Sequence, residues 1–109
     1  MKDIRWMGSS FRALNAFPKA VKQVAGFQLH LIQQGMDADD WKPMSSIGVG
    51  VREIRIHVEG EHRIIYLAKF DEAVYVLHAF QKKTQKTTKK DIDIAKARLR
   101  DVIQNRARS

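Results

Sequence analysis

The stretch Val51–Tyr66, VREIRIHVEGEHRIIY, decides the fold. Apolar and polar residues alternate along its first half. Ile54, Ile56 and Val58 fall on one face of a strand, and Glu53, Arg55, His57 and Glu59 fall on the other. Gly60 and Glu61 are turn residues, and they predict a hairpin of strands Val51–Glu59 and His62–Phe70. Asp71 and Glu72 then turn the chain into a third strand, Ala73–Phe80. Connections this short make the neighbours antiparallel. The apolar face must meet helices, and the polar face is expected to look away from them and serve chemistry.

Working back toward the N-terminus, residues 36–50 read as a loop, with an acidic cluster at Asp37, Asp39 and Asp40 followed by Trp41-Lys42-Pro43. The cluster lacks the glycine and closing glutamate of a calcium loop, so it reads as solvated. Before it, Val21, Val24, Ala25, Leu29 and Ile32 recur at helical spacing, widened by Phe27 and Leu31. Pro18 suits the first turn of this helix and Gly35 its stop. A helical turn through Phe11, Arg12 and Leu14, capped by Ser9 or Ser10, and a strand Asp3–Met7 complete the N-terminal part.

On the other side of the hairpin, QKKTQKTTKK (residues 81–90) holds five lysines and no hydrophobic residue. Thr88 and Asp91 imitate a capping box for a final helix, roughly Lys89 to Arg106. Its apolar stripe is Ile92, Ala95, Leu99, Val102 and Ile103. The expected class is therefore α+β, a small antiparallel sheet packed with helices in the order β-α-α-β-β-β-α. The 109 residues form one domain, 1–109, since no linker or repeat divides them.

Charge is one-sided. Residues 1–80 carry ten Lys/Arg and nine Asp/Glu, whereas residues 81–109 carry ten and three. The last quarter thus supplies most of the net +8, which points to a polyanion or an acidic partner, or else to a solubilising tail. Absence of cysteine excludes disulfides, thiolate chemistry and sulfur ligands for zinc, and fits a reducing cytoplasm. No apolar run approaches ~20 residues, and MKDIRWMGSS lacks the core of a signal peptide. Neither membrane nor cofactor is expected, and no cluster of His with carboxylates suggests a metal.

The hairpin, the segment VYVLHAFQKKTQKT (Val74–Thr87), the loop Asp40–Pro43 and the closing IAKARLRDV (Ile94–Val102) together resemble the RelE/ParE toxin superfamily, with closest similarity to its phage-derived, HigB-like branch. The resemblance covers nearly the whole chain, and HAFQKKTQKT before a basic amphipathic helix is its most specific piece. It implies a type II toxin paired with a protein antitoxin. It further implies a ribosome-dependent endoribonuclease that cuts mRNA in the ribosomal A site. A ParE-like gyrase poison and an RNA-binding module without cleavage are the alternatives, because fold alone does not select an activity. Free toxin is expected as a monomer.

RNA carries its own nucleophile, the 2′-OH, so a protein can cut it by alignment and charge stabilisation without a metal. The resemblance places Arg63, in its HRIIY setting, on the scissile phosphate, and Arg55 at a second basic position. Where some relatives carry a lysine two residues before Arg55, this chain has Glu53, which orients Arg55 or acts as the base. His57 titrates near neutrality and is a candidate acid or base. Lys82 and Lys83 follow the last strand as phosphate clamps or acids. Phe80 is either a stacking face for an RNA base or a core residue. Lys86, Lys89 and Lys90 are expected to attract RNA. His78 reads as packed, His62 as a turn residue, His30 as structural or exposed, and Tyr66 and Tyr75 as core.

Overall fold

The computed structural model describes residues 1–108. In chain order the elements are β1 (Asp3–Trp6), α1 (Ser10–Asn15), α2 (Lys19–Gln33), β2 (Trp41–Pro43), β3 (Val51–Ile56), β4 (His62–Leu67), β5 (Ala73–Gln81) and α3 (Lys89–Ala107). The strands form one sheet in the order β1-β5-β4-β3-β2. The class is α+β as expected, with two departures. The sheet is mixed, because β1 joins β5 in parallel. The loop before the hairpin contains the short edge strand β2, paired antiparallel to β3.

Each face of the sheet has its own apolar cover. On one, Leu14 and Phe17 with Val21, Ala25, Leu29 and Ile32 of α2 pack on Ile54, Ile56, Ile64, Tyr66 and Val76. On the other, Ala95 and Val102 of α3, with Met44 and Ile47, pack on Val51, Ile65, Leu67, Tyr75 and Leu77. Phe27 does not widen the α2 stripe: it is 56% exposed. The polar face of β3 is therefore not an open surface. The basic loop closes over it at Thr87, and Glu53 is fully buried.

The hairpin differs from the sequence expectation at its tip. Ile56 and His62 are the last pair, so residues 57–61 form a five-residue connection in place of a two-residue turn. Glu59 (φ 49°) and Gly60 (φ 98°) both adopt left-handed backbone there. His57 consequently leaves the strand. His62, expected in the turn, opens β4 instead, and it is 2% exposed with its ring edge-on to Phe17.

A β-bulge in β5 fixes the floor of the site. The register passes from Tyr66↔Val76 to Ile65↔His78, leaving Leu77 as the extra residue. Leu77 packs on the α3 side, and His78 Nε2 lies 2.8 Å from Asp91 Oδ1 of α3, so consecutive residues share one face. Arg98 of α3 donates to the Leu77 carbonyl at 3.0 Å and to Ser9 Oγ at 2.9 Å. Ser9 and Ser10 supply no side-chain cap to α1; Ser10 Oγ donates to the Val76 carbonyl. Thr88 does cap α3, accepting from the Asp91 amide.

Candidate nucleic-acid interface

Sheet register aligns the site in two rows across the α3-side face. Arg55, Arg63 and Phe80 are cross-strand neighbours in one row. Lys42, Glu53, Ile65 and His78 form the next. The basic loop after β5 returns over both, and Thr87 Oγ1 donates to Glu53 Oε2 at 3.0 Å.

Arg63 is not the exposed hairpin arginine that its sequence position suggests. It is 3% exposed. Its Nε stands 3.6 Å from Glu53 Oε1, and its Nη2 donates to Glu61 Oε1 at 2.9 Å. A charge this deep needs a partner, and Glu53 and Glu61 supply it. Glu53 therefore pairs with Arg63 and not with Arg55. Arg55 is half-buried in the same row, and its Nε is buried without a hydrogen-bond partner among the described residues.

Lys82 completes the basic group. Its backbone amide donates to the Glu61 carbonyl at 2.7 Å, which holds the start of the loop against the hairpin. Desolvation lowers its ammonium pKa, with further lowering from Arg63, Lys42 and Arg55, against an opposing pull from Glu53. Lys42 is thus a site cation that sequence reading missed. Its strand is three residues long, too short for alternation to reveal.

His57 is half-exposed at the hairpin end. Its Nε2 lies 2.6 Å from Asp40 Oδ2 and its Nδ1 lies 2.8 Å from Glu61 Oε2. The bond to Asp40, followed by that to Glu61, raises its pKa and favours the imidazolium. Glu61 in turn is held below the usual carboxylate range by His57 and then Arg63. A chain of charged contacts therefore runs Asp40–His57–Glu61–Arg63–Glu53 and ends at Thr87. The acids of the loop diverge: Asp40 faces His57, Asp37 pairs with Arg52 at 2.9 Å, and Asp39 accepts from Gln28 at 2.8 Å. Among the described residues no group of three His, Asp or Glu side chains is arranged to hold a metal ion.

Phe80 is half-buried and stacks on His78 with ring centroids 5.1 Å apart. Burial lowers the His78 pKa against the bond to Asp91. Phe80, Lys82, Lys83, Lys86 and Asp91 line an open cleft of about 190 Å³. Lys83 and Lys86 are exposed there. Lys89 turns aside and pairs with Asp93 at 2.9 Å, while Lys90 is exposed on the first turn of α3. His30, also exposed, contacts Gln34 of its own helix end, and Tyr66 and Tyr75 are core residues.

The sequence profile of the phage-derived Gp49-like family (DUF891) matches residues 12–100, which include both rows, the basic loop and most of α3. The chain belongs to this family. The Gp49-like family is associated with RelE-like toxins of toxin–antitoxin systems, and membership implies an antitoxin partner. No curated protein matches the chain. In this Gp49-like protein no helix among the described residues is long and apolar enough to cross a membrane. Its α3-side face combines cations fixed by strand register with an aromatic ring at the rim of a cleft, and a histidine biased toward its charged form stands at the adjoining hairpin end. Cations and a ring so placed have the chemistry that suits a polyanion and the charge that builds on a phosphate.

Proposed function

We propose that this Gp49-like protein is the toxin of a type II pair and cuts mRNA in the ribosomal A site, as a HigB-like endoribonuclease acting from the cytoplasm as a monomer when free. The observation that carries the reading is geometric: strand register sets Arg55 and Arg63 in one row with Phe80, and Lys42 in the next, and Lys82 follows the end of β5, tied to the hairpin through the Glu61 carbonyl. Glu53 and Glu61 neutralise Arg63, which leaves Lys42, Arg55 and Lys82 as the charge that a phosphodiester would meet.

In this reading Arg55 and Lys82 clamp the scissile phosphate. Arg63 is a positioning residue that holds Glu53 and Glu61 beneath them. The substrate's 2′-oxygen attacks phosphorus, its proton passing to a base, and the P–O5′ bond breaks as the 5′-oxygen takes a proton. His57, biased toward imidazolium, is the donor, its Nε2 exchanging the half-exposed Asp40 for the leaving oxygen. Phe80 and the cleft beside it receive a base, with Lys83, Lys86 and Lys90 drawing in RNA, while Lys89 is paired with Asp93. None of these roles calls on a metal or cofactor.

The test is to map RNA 5′ ends after brief induction in cells. Codon-phased cuts within translated messages support the reading. Intact RNA with induced DNA damage replaces it with a gyrase poison, and intact RNA without damage replaces it with binding alone.

A further inference from the structure

The cleft beside Phe80 has one acid in its lining among the described residues, Asp91, in the company of Lys82, Lys83 and Lys86. A carboxylate works against phosphate binding, so its place in a basic cleft calls for another use. Its side chain is 19% exposed, which leaves it open to a ligand in the cleft.

Two contacts fix this carboxylate. Oδ1 lies 2.8 Å from His78 Nε2, and Oδ2 accepts from Thr88 Oγ1 at 2.7 Å. His78 Nδ1 is buried without a partner among the described residues, and a carboxylate only accepts, so Nε2 carries the proton. Each oxygen of an ionised carboxylate can take two hydrogen bonds, and each has one position left. The cleft thus presents two acceptors side by side, next to the Phe80 ring that stacks on His78.

Two adjacent acceptors call for two adjacent donors. On their Watson–Crick edges, adenine and cytosine set an amino donor beside a ring acceptor, and uracil sets N3–H between two carbonyls. Guanine alone sets N1–H beside its N2 amino group. Every other base leaves an acceptor facing an acceptor, which costs more than a missing bond. Lys83 and Lys86 are donors only, which suits the O6 and N7 acceptors of guanine.

We propose that Asp91 reads the Watson–Crick edge of a base stacked at Phe80 and selects guanine. This rests on the reading of the cleft as a base site, and it supplies what that reading leaves open, the base preferred there.

Two arms test it. In the first, RNA 5′ ends are mapped after induction of wild type and of Asp91→Asn. Wild type should place guanine at a fixed position beside the cut about tenfold or more above the other bases. In Asp91→Asn the amide keeps an acceptor for His78 and sets a donor beside it, a pattern that pairs with adenine, so the preference should move from guanine to adenine. Asp93→Asn, in the exposed pair with Lys89, should leave the preference unchanged. Cut sites without guanine enrichment, or the same enrichment in folded Asp91→Asn, overturn the proposal. The second arm needs no cleavage. GMP, AMP, CMP and UMP are titrated into isotope-labelled protein and read from the backbone amides of Phe80, Lys82 and Asp91. Intact RNA with GMP bound about tenfold tighter than the others, in an Asp91-dependent way, removes the cleaving activity and keeps the base reading. Intact RNA with no such difference among the four nucleotides overturns it.

Discussion

Arg63 and Glu53 stand side by side inside the protein, with Nε 3.6 Å from Oε1 and side chains 3% and 0% exposed. Removing one partner leaves the other charged, buried and poorly solvated. Arg63→Ala should therefore destabilise the fold by about 3–5 kcal/mol, measured by urea unfolding at neutral pH. Glu53→Leu combined with Arg63→Met should recover much of that loss, since it removes both charges. A stability change within ~0.5 kcal/mol for Arg63→Ala would show that the pair does not hold this region. Lost toxicity in Arg63→Ala alone thus says little about chemistry, and Arg55→Gln is the cleaner probe.

His57 gives a pH dependence with a definite sign. Its pKa is raised by Asp40 and then Glu61, so the folded state binds the proton more tightly than the unfolded chain. The stabilisation is fully present below the unfolded value of about 6.5 and is lost as pH rises through the folded value. Both partners are half-exposed, so solvent screening keeps the energy small. Titration of the His57 ring by NMR should give a midpoint above the ordinary histidine value, shifted down in Asp40→Asn. A midpoint unmoved by that substitution would break the assigned contact.

Lys82 and the outer lysines should separate kinetically. Lys82 is half-buried and coupled to Arg63, while Lys86 and Lys90 are exposed. Lys82→Gln should lower the single-turnover cleavage rate at saturating ribosome by roughly a hundredfold. Lys86→Gln with Lys90→Gln should instead weaken binding and flatten its salt dependence, at nearly wild-type saturated rate. Equal effects of both sets on binding alone would move the chemistry to the hairpin.

Gly8 should be sensitive to a single methyl. Its φ is +54°, and a Cβ there would lie 2.4 Å from Arg98 Nε. Gly8→Ala pushes on the guanidinium that bonds the Leu77 carbonyl at the bulge. A loss of about 1–2 kcal/mol is expected from backbone strain alone, and more with the clash. In an Arg98→Ala background only the strain should remain. A double-mutant cycle with no coupling would mean that Arg98 yields freely.

Much of the architecture was legible because it is periodic. Alternation along Val51–Ile56 and the turn residues Gly60 and Glu61 marked the hairpin strands, and 3.6-residue spacing from Val21 to Ile32 marked α2. Local chemistry marked ends: Gly35 (φ 85°) follows α2, and Thr88 caps α3. These signals act over a few residues, so the chain states them by itself. Arg55, Arg63, Phe80 and Lys82 were likewise singled out; register brings the first three into one row, and the Lys82 amide is tied to the Glu61 carbonyl.

What tertiary structure decided was the surroundings of each group. Alternation says that Glu53 and Arg55 share a face, but not whether water or a helix lies over it. Thr87 of the basic loop closes over the buried Glu53, and Arg63, buried beside it, is the partner of two carboxylates in place of a surface cation. The same holds for β1, which slots in parallel beside β5, and for Leu77, whose bulge turns His78 toward Asp91. Solvation, and with it the state of a charge, sums over contacts from segments distant in sequence, whereas strand and helix periods are fixed by the backbone within a few residues.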